Sequence, residues 1–290
     1  MLKSHVLSTV VAILVASGGC ASMQGATAGK STIDRIKASK TIALGYRQSS
    51  VPFSTVNAEG KPVGYSIDLC NRVADDLRKD LAMPDLAVKW VPVTVENRIA
   101  AVRDGTIDLE CGSTTNTLSR QTEVDFSLTT FVTGGSLLAL RESTQTLTDL
   151  KGLRIAVIPG TTTERVLKEA IKGAPGQVQL IAVKDHAEGR AAIENKTADA
   201  YASDRDILIG LALTASEPAR FALGDRYFSY EPYALMLRRG DVEFRLAVNR
   251  SLARLYRSGD VIDIYQRWFG SLGGTPALLL ATYAIEGLPE

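Results

Sequence analysis

Runs of alternating and periodic apolar residues divide the first half of the chain into short strands and helices. Serine and proline end the first strand, and the first long helix shows apolar residues at helical spacing. The predicted elements are strand 41–46, a helix from 64 to 83, strand 87–93, a helix from 94 to 103 and strand 105–109. This β-α-β-α-β order predicts an α/β fold with a mostly parallel sheet and helices on both faces.

The pattern restarts after a long extended stretch. Residues 130–140 are almost uninterrupted β-type sequence with two glycines in the middle, which predicts a hinge leaving one lobe. A second extended connection is predicted at 233–237. The other predicted elements are strand 154–158, helix 164–171, strand 178–183, helix 191–195, strand 198–203 and helices 242–257 and 261–269.

The length of the chain favours two lobes. At 290 residues it is long for one core and short for three, so lobes of about 100 to 130 residues are expected. Residues 31–132 and 238–270 are assigned to the first lobe and residues 133–237 to the second. The tail, 271–290, is too short and too interrupted to span a membrane.

The charge composition excludes a nucleic-acid partner. Lys and Arg number 33 against 32 for Asp and Glu, and no basic run with interleaved aromatics is present. No Cys/His spacing typical of a metal site occurs. The glycine loop 159–163 lacks the lysine of a phosphate-binding loop, so no metal and no cofactor are expected.

The first 30 residues predict an export signal and a linker. A short positive start precedes an apolar run, 6–16, whose length is typical of a signal peptide. Residues 17–20 resemble a lipoprotein signal in which Cys20 would carry the lipid, although Ser17 stands where leucine is usual. A cut after Ala28 is the competing possibility. The mature protein is therefore expected in the periplasm or elsewhere outside the cytoplasm, and a lipid on Cys20 would tether it to a membrane.

Two further cysteines raise the question of a disulfide in an exported protein. Cys70 lies on the apolar face of a predicted helix, and Cys111 lies at the end of a buried strand. Both are therefore predicted to be packed free thiols, which behave as small hydrophobes. A disulfide between them is the less favoured alternative.

Residues 110–120, E-C-G-S-T-T-N-T-L-S-R, predict a carboxylate-binding loop. Four small hydroxyl or amide side chains, 113–116, lie close to the planar fork of Arg120, which donates to both oxygens of a carboxylate. Gly112 lets the backbone approach a ligand closely. The competing interpretation is a polar loop that caps a helix beginning near Leu118.

Other candidate residues also lie at strand ends or helix starts. Arg47 follows the first strand, at the sheet edge where ligands of α/β folds bind. Arg98 lies near a helix start, where a cation adds little to helix stability and is therefore a candidate for binding an anion. His186 and Asp204 follow strands of the second lobe, and the 159–163 loop leads into a helix that favours anions. Each could also be an ordinary solvated residue.

The strand-end loops described above, with the segments around them, resemble those of the periplasmic solute-binding proteins of polar amino-acid ABC importers, family 3. The resemblance implies their two-lobed periplasmic-binding-protein fold (type II), in which two mixed sheets flanked by helices are joined by a two-strand hinge. The R-x-S-S-V-P-F and E-C-G-S-T-T-N strings are typical of the branch that binds dicarboxylic amino acids. Over residues 31–270 the resemblance rests on T-I-A-L-G-Y-R-Q-S-S-V-P-F-S, V-G-Y-S-I-D-L-C, E-N-R-I, D-L-E-C-G-S-T-T-N-T-L-S-R, D-L-K-G-L-R-I-A-V-I-P-G-T-T-T-E, V-K-D-H and Y-A-S-D.

The resemblance implies a monomeric binding protein that captures L-glutamate or L-aspartate between closing lobes and delivers it to a membrane ABC permease. Val95 stands where this branch often has serine, which leaves the preference between the two ligands open. The implied contacts are Arg120, Ser113, Thr115 and Thr162 to the α-carboxylate, Asp204 to the α-ammonium, and Arg47, Arg98 and His186 to the side-chain carboxylate.

Two alternatives remain at this point. An enzyme of the same fold, similar to cyclohexadienyl dehydratase, would need a general acid, but the two candidates, His186 and Asp204, already have binding roles. An amino-acid sensor would use the same closed shape. His186 itself is expected to be protonated in the complex, with a neutral N–H donor as the alternative.

Overall fold

Two five-stranded mixed sheets dominate the structure, a computed structural model that describes residues 31–143, 152–172 and 178–289. The predicted export signal, linker and lipidation site at Cys20 lie outside the described residues. The described strands are β1 (Thr41–Tyr46), β2 (Ser49–Ser50), β3 (Ser54–Val56), β4 (Pro62–Val63), β5 (Ala87–Pro92), β6 (Leu109–Glu110), β7 (Val124–Thr133), β8 (Gly135–Leu140), β9 (Arg154–Val157), β10 (Gln179–Ala182), β11 (Ala200–Asp204), β12 (Phe221–Leu223) and β13 (Glu231–Arg238).

The helices lie between and after these strands. They are α1 (Thr32–Ser39), α2 (Tyr65–Asp80), α3 (Arg98–Arg103), α4 (Thr162–Ile171), α5 (His186–Glu194), α6 (Arg205–Leu213), α7 (Val242–Ser258), α8 (Asp260–Phe269) and α9 (Ala277–Glu286). No helix of the described ranges has the length and apolar character needed to cross a membrane.

The first sheet has the strand order β5-β1-β6-β13-β7. Strand β1 runs parallel to β5 and β6, whereas β13 runs antiparallel to β6 and β7. Residues Ile42 and Leu44 of β1 are fully buried, as the apolar run predicts for a strand inside an α/β fold. The carboxyl ends of β1 and β6 therefore lie side by side, and the residues that follow both strands meet there.

The second sheet has the order β10-β9-β11-β8-β12. Its strand β9 is parallel to β10 and β11, and β8 is antiparallel to β11 and β12. The predicted fold class of two mixed sheets flanked by helices is confirmed.

Two crossings connect the sheets. One is short, because only Gly134 separates β7 of the first sheet from β8 of the second. The other leads from the end of β12 to the start of β13. Residues 233–237, which the sequence analysis placed at a crossing, lie within β13 and pair with β7, so the connecting segment itself is 224–230.

Three helices, α1, α6 and α9, are absent from the sequence prediction. Helix α9 lies in the tail that had no interpretation, and it packs against β7 and α7. Its Tyr283 is buried, with its hydroxyl 2.6 Å from that of Tyr65, and Glu286 accepts a hydrogen bond from the backbone N–H of Thr129 at 3.2 Å. The tail is thus part of the first-sheet core next to the crossing strand.

Cys70 and Cys111 form a disulfide, so the prediction of two free thiols is wrong. Helix α2 covers the sheet with Cys70 on its buried face, which brings the two Cα atoms to 6.2 Å. Their separation of 41 residues contains no information about this proximity. Ser66 of the same helix donates a hydrogen bond to the carbonyl of Gly112 at 2.7 Å. The loop that follows β6 is therefore attached to α2 at two adjacent residues.

Candidate functional site

A cavity lies where strand ends of the two sheets face each other. About 380 Å³ of space, part of it open to solvent, lies between the atoms of its lining residues, which suits a small molecule. All eight residues named from the sequence line this cavity: Arg47, Arg98, Ser113, Thr115, Arg120, Thr162, His186 and Asp204.

Arg47 and Arg98 form a buried pair of cations in this cavity. Arg47 follows β1, Arg98 begins α3, and each is only 3% exposed. Within the described ranges, neither guanidinium makes a hydrogen bond or an ion pair. Burial, and then the like charge of Arg98, lower the pKa of Arg47 from its ordinary value to about 10, although Glu110 opposes the shift. Two buried cations without partners favour an anion at this point of the cavity.

Arg120 begins a 3-10 turn at the end of the 110–120 loop. One guanidinium nitrogen, Nη1, donates to the carbonyl of Thr115 at 2.8 Å, and its other N–H groups remain for a ligand. Burial and the like charge of Arg98 lower the pKa of Arg120 to about 10. The capping alternative is partly realised, because Thr117 Oγ1 accepts from the backbone N–H of Arg120 at 3.2 Å. The hydroxyl of Ser113 makes no hydrogen bond to the described residues.

Glu110 is a buried acid that the sequence analysis missed. It is fully buried at the end of β6, and its Oε2 accepts from Thr114 Oγ1 at 2.8 Å. A Cβ on Gly112 would clash with Glu110 Oε1 and would lie 3.1 Å from Arg47 Cγ. Glycine is therefore needed at 112 for these two side chains to pack, whatever ligand is bound.

Glu231 is the second buried acid that was missed, and it begins β13 at 1% exposure. Its Oε2 accepts from Thr115 Oγ1 at 2.5 Å and from Thr162 Oγ1 at 2.7 Å. Its Oε1 accepts from Ser229 Oγ at 2.6 Å. Thr115 belongs to the first-sheet loop and Thr162 begins α4 beside the second sheet, so Glu231 connects both sides of the cavity. The one signal in the sequence was an acid directly before the apolar run 232–237.

Asp204 ends β11 and accepts hydrogen bonds from two hydroxyls. Tyr233 donates to its Oδ2, and Thr163 donates to its Oδ1 at 3.4 Å. Burial, and then the negative charge of Glu231, raise the pKa of Asp204 to about 7. The Tyr233 hydroxyl opposes this shift. Without a bound ammonium, Asp204 is partly protonated at neutral pH even though Arg98 and Arg120 oppose the shift, and an ammonium would favour its ionised form.

His186 is the first residue of α5 and is buried. Its Nδ1 lies 2.6 Å from the hydroxyl of Tyr201. Burial, and then the charges of Arg47 and Arg98, hold the pKa of His186 well below its ordinary value. The structure therefore supports the neutral alternative. Burial also raises the pKa of Tyr201, so this phenol keeps its proton and can donate it to Nδ1, which leaves Nε2–H as the donor of His186.

Val95 lines the cavity as an apolar residue. The hydroxyl that a serine would supply there is absent. Within the described residues, no group of three or more His, Cys, Asp or Glu side chains is arranged to hold a metal ion.

The chain is similar in sequence to known proteins along most of its length. The profile of the bacterial extracellular solute-binding proteins, family 3, matches residues 42–271. The L-glutamate/L-aspartate-binding protein of Pseudomonas aeruginosa is 39% identical over 240 residues, which are 82% of this chain and 80% of that protein. The glutamate/aspartate import solute-binding protein of Salmonella typhimurium is 37% identical over 265 residues, 91% of this chain and 88% of that protein.

Solved structures show the same fold. An ancestral arginine-binding protein bound to glutamine superposes with a TM-score of 0.71 at 27% identity, covering 80% of this chain and 98% of that one. An ancestral amino acid-binding protein, a precursor of cyclohexadienyl dehydratase, superposes with a TM-score of 0.72 at 25% identity, covering 83% and 100%.

Proposed function

The chain belongs to the bacterial extracellular solute-binding proteins, family 3, and we propose that it captures glutamate or aspartate and delivers it to an ABC importer. This membership confirms the predicted family, and the named relatives are binding proteins and not enzymes. The family also implies a location outside the cytoplasm. A periplasmic position, with or without a lipid on Cys20, belongs to the proposal.

The single observation that supports an acidic ligand is the pair Arg47 and Arg98, whose buried guanidinium groups make no hydrogen bond or ion pair within the described ranges. A neutral side chain in the cavity would leave two buried guanidinium groups uncompensated, whereas a distal carboxylate neutralises them and accepts their N–H groups. The relatives named for glutamate and aspartate support this assignment. The neutral His186 would add one N–H donor to the same carboxylate.

The main-chain groups of the ligand are assigned to the opposite part of the cavity. Arg120 and the free hydroxyl of Ser113 would receive the α-carboxylate, because both still have donors available. Asp204 would receive the α-ammonium, the one cationic group of an amino acid.

Calorimetric titration with glutamate, aspartate, glutamine and asparagine tests the proposed function. We expect the two acids to bind at least about tenfold more tightly than their amides, since a hydrogen bond to a charged group contributes about 1.5–3 kcal/mol. Equal affinities for glutamate and glutamine would refute the acidic specificity. Absence of binding for all four would refute the function itself.

We further propose that the two sheets belong to two lobes that close over the ligand. Tyr233 on β13 donates to Asp204 on β11, and Glu231 accepts from Thr162, so hydrogen bonds join the sheets across the cavity. Opening would break these bonds, and a ligand that contacts Arg120 and Asp204 would favour the closed state. Small-angle scattering should show a smaller radius of gyration at saturating glutamate. An unchanged radius would argue against closure.

Affinity for glutamate should fall as the pH decreases below about 7. In this structure burial and the charge of Glu231 raise the pKa of Asp204 to about 7, and the ammonium would lower that pKa in the complex. The full affinity is therefore present above the free pKa, and up to about tenfold is lost per pH unit below it. His186 is not expected to offset this loss, because burial and the charges of Arg47 and Arg98 lower its pKa and favour its neutral form.

Titrations between pH 5.5 and 8.5 measure this profile, with Asp204→Asn as the control. The variant should bind glutamate weakly at every pH, and its affinity should not decrease further as the pH is lowered. Tighter wild-type binding at pH 5.5 would contradict the assignment and would instead match a protonated His186.

Delivery to a membrane permease by a monomer, tethered through Cys20, completes the proposal. Its alternative, a sensor partner, shares the same ligand site. Membrane fractionation of the full-length protein and of Cys20→Ala tests the tether: release of the variant alone supports lipidation, and equal partitioning refutes it.

A further inference from the structure

Two cavity hydroxyls from opposite sides of the site share one acceptor atom. Thr115 Oγ1 lies 2.5 Å and Thr162 Oγ1 lies 2.7 Å from Oε2 of Glu231. Both threonines line the cavity, whereas Glu231 is 1% exposed and lies behind them. Ser229 donates to the other carboxylate oxygen, which fixes Glu231 in place.

This arrangement determines what the two hydroxyls can do for a ligand. A hydroxyl group has one proton, and a carboxylate can only accept, so both protons are used by Glu231. Towards the cavity, Thr115 Oγ1 and Thr162 Oγ1 can act only as acceptors. They therefore cannot donate to a ligand carboxylate, which is the role that the family resemblance implied for these side chains.

We propose that Glu231 is a positioning residue that makes the hydroxyls of Thr115 and Thr162 acceptors for the α-ammonium of the bound amino acid. This inference rests on the proposed function and refines it. An ammonium has three N–H donors, and the two hydroxyls together with Asp204 supply three acceptors. Because both hydroxyl oxygens contact the same carboxylate oxygen, they lie close enough to reach one small group. The α-carboxylate then belongs to Arg120 and Ser113.

The test compares an amino acid with its deaminated analogue. Calorimetry with glutamate and glutarate gives a ratio of affinities that reports on the ammonium contacts. In Glu231→Gln we expect the affinity for glutamate to fall about tenfold, which is the loss of one hydrogen bond to a charged group. The affinity for glutarate should change less than about twofold, because glutarate has no ammonium.

A double-mutant cycle separates positioning from the charge of Glu231 itself. In the background Thr115→Val/Thr162→Val the acceptors are gone, so a further Glu231→Gln substitution should change the glutamate-to-glutarate ratio less than about twofold. If the substitution acted through its charge alone, the tenfold change would persist in this background. That persistence would overturn the inference.

Asp76→Asn is the matched control. Asp76 is also a buried carboxylate that accepts from a hydroxyl, Ser251 Oγ at 2.7 Å, but it lies outside the cavity lining. The ratio of glutamate to glutarate affinity in Asp76→Asn should equal that of the wild type. Thermal melting should show that Asp76→Asn and Glu231→Gln are both folded. A ratio lowered equally in Asp76→Asn would mean a general loss of stability and would refute positioning by Glu231.

The result also distinguishes this inference from the proposed function. The α-ammonium is common to all amino acids, so the ratio can be measured with whichever amino acid the wild type binds. Preference for an amide would refute the acidic specificity and leave the Glu231 test intact. Equal wild-type affinity for an amino acid and its deaminated analogue would overturn the inference alone, and no amino-acid binding at all would overturn both.

Discussion

Replacing Arg120 by alanine is expected to abolish binding of every amino acid, with a loss of at least about 1,000-fold in affinity. The α-carboxylate is common to all of them, and in this variant it would enter a buried site without its cation. Calorimetry with glutamate, aspartate and glutamine measures the effect, and all three ligands should be affected equally.

The Arg120→Lys variant sharpens this prediction. Lysine keeps the charge but lacks the planar fork, so we expect most of the affinity to be lost as well. Because Arg120 also donates to the carbonyl of Thr115, thermal melting must show that the 110–120 loop remains folded. Alanine and lysine variants that bind within tenfold of the wild type would remove Arg120 from the carboxylate site.

The positions of the site residues were predictable because strand ends converge in this fold. Arg47 follows β1, the loop with Arg120 follows β6, and Asp204 ends β11. The carboxyl ends of neighbouring parallel strands share one edge, so polar residues placed after such strands come together. The roles of these residues came from the family resemblance and remain proposals.

What escaped prediction depends on contacts between elements distant in sequence. The place of Glu231 at the site follows from its hydrogen bonds with Thr115 and Thr162, which come from opposite sides of the cavity. The disulfide between Cys70 and Cys111 depends on how α2 packs over β6. No pattern of neighbouring residues in the sequence predicts the hydrogen bonds of Glu231 or the disulfide.

Helices α6 and α9 were not predicted because their local sequence does not distinguish a helix from other apolar segments. Helix α6 is a short, almost continuous apolar run directly after β11, and periodicity alone cannot separate such a run from a buried strand. Helix α9 begins after Pro276 and is mostly apolar, with Leu279 and Tyr283 as its buried residues. Its place became clear from the contact with Tyr65.

The charges around the cavity are arranged in two layers. Three guanidinium groups and Asp204 line the cavity, while Glu110 and Glu231 lie behind the lining. These two acids moderate the field of the arginines, since both oppose the lowering of the pKa of Arg120. Within the described ranges, Arg47 and Arg98 are the two whose guanidinium groups make no hydrogen bond or ion pair, so their removal should act on the ligand's side chain.

Replacing Arg47 or Arg98 by alanine should remove the preference for acidic over amide side chains. We expect glutamate to lose roughly 10- to 150-fold in affinity, the equivalent of one hydrogen bond to a charged group. Glutamine should bind as well as before or slightly better, because each variant leaves the other arginine without its like-charged neighbour. Calorimetric titration of both ligands gives the ratio directly.

Arg103→Ala is the matched control for this pair. Arg103 ends α3, the helix that Arg98 begins, but it is about half exposed and pairs with Asp104 and Glu123 away from the cavity. Its removal should leave both affinities within about twofold, since exposed ion pairs contribute little. Equal losses for glutamate and glutamine in the Arg47 and Arg98 variants would show that these arginines do not contact the distal carboxylate. A loss confined to glutamate would assign the acidic specificity to the pair.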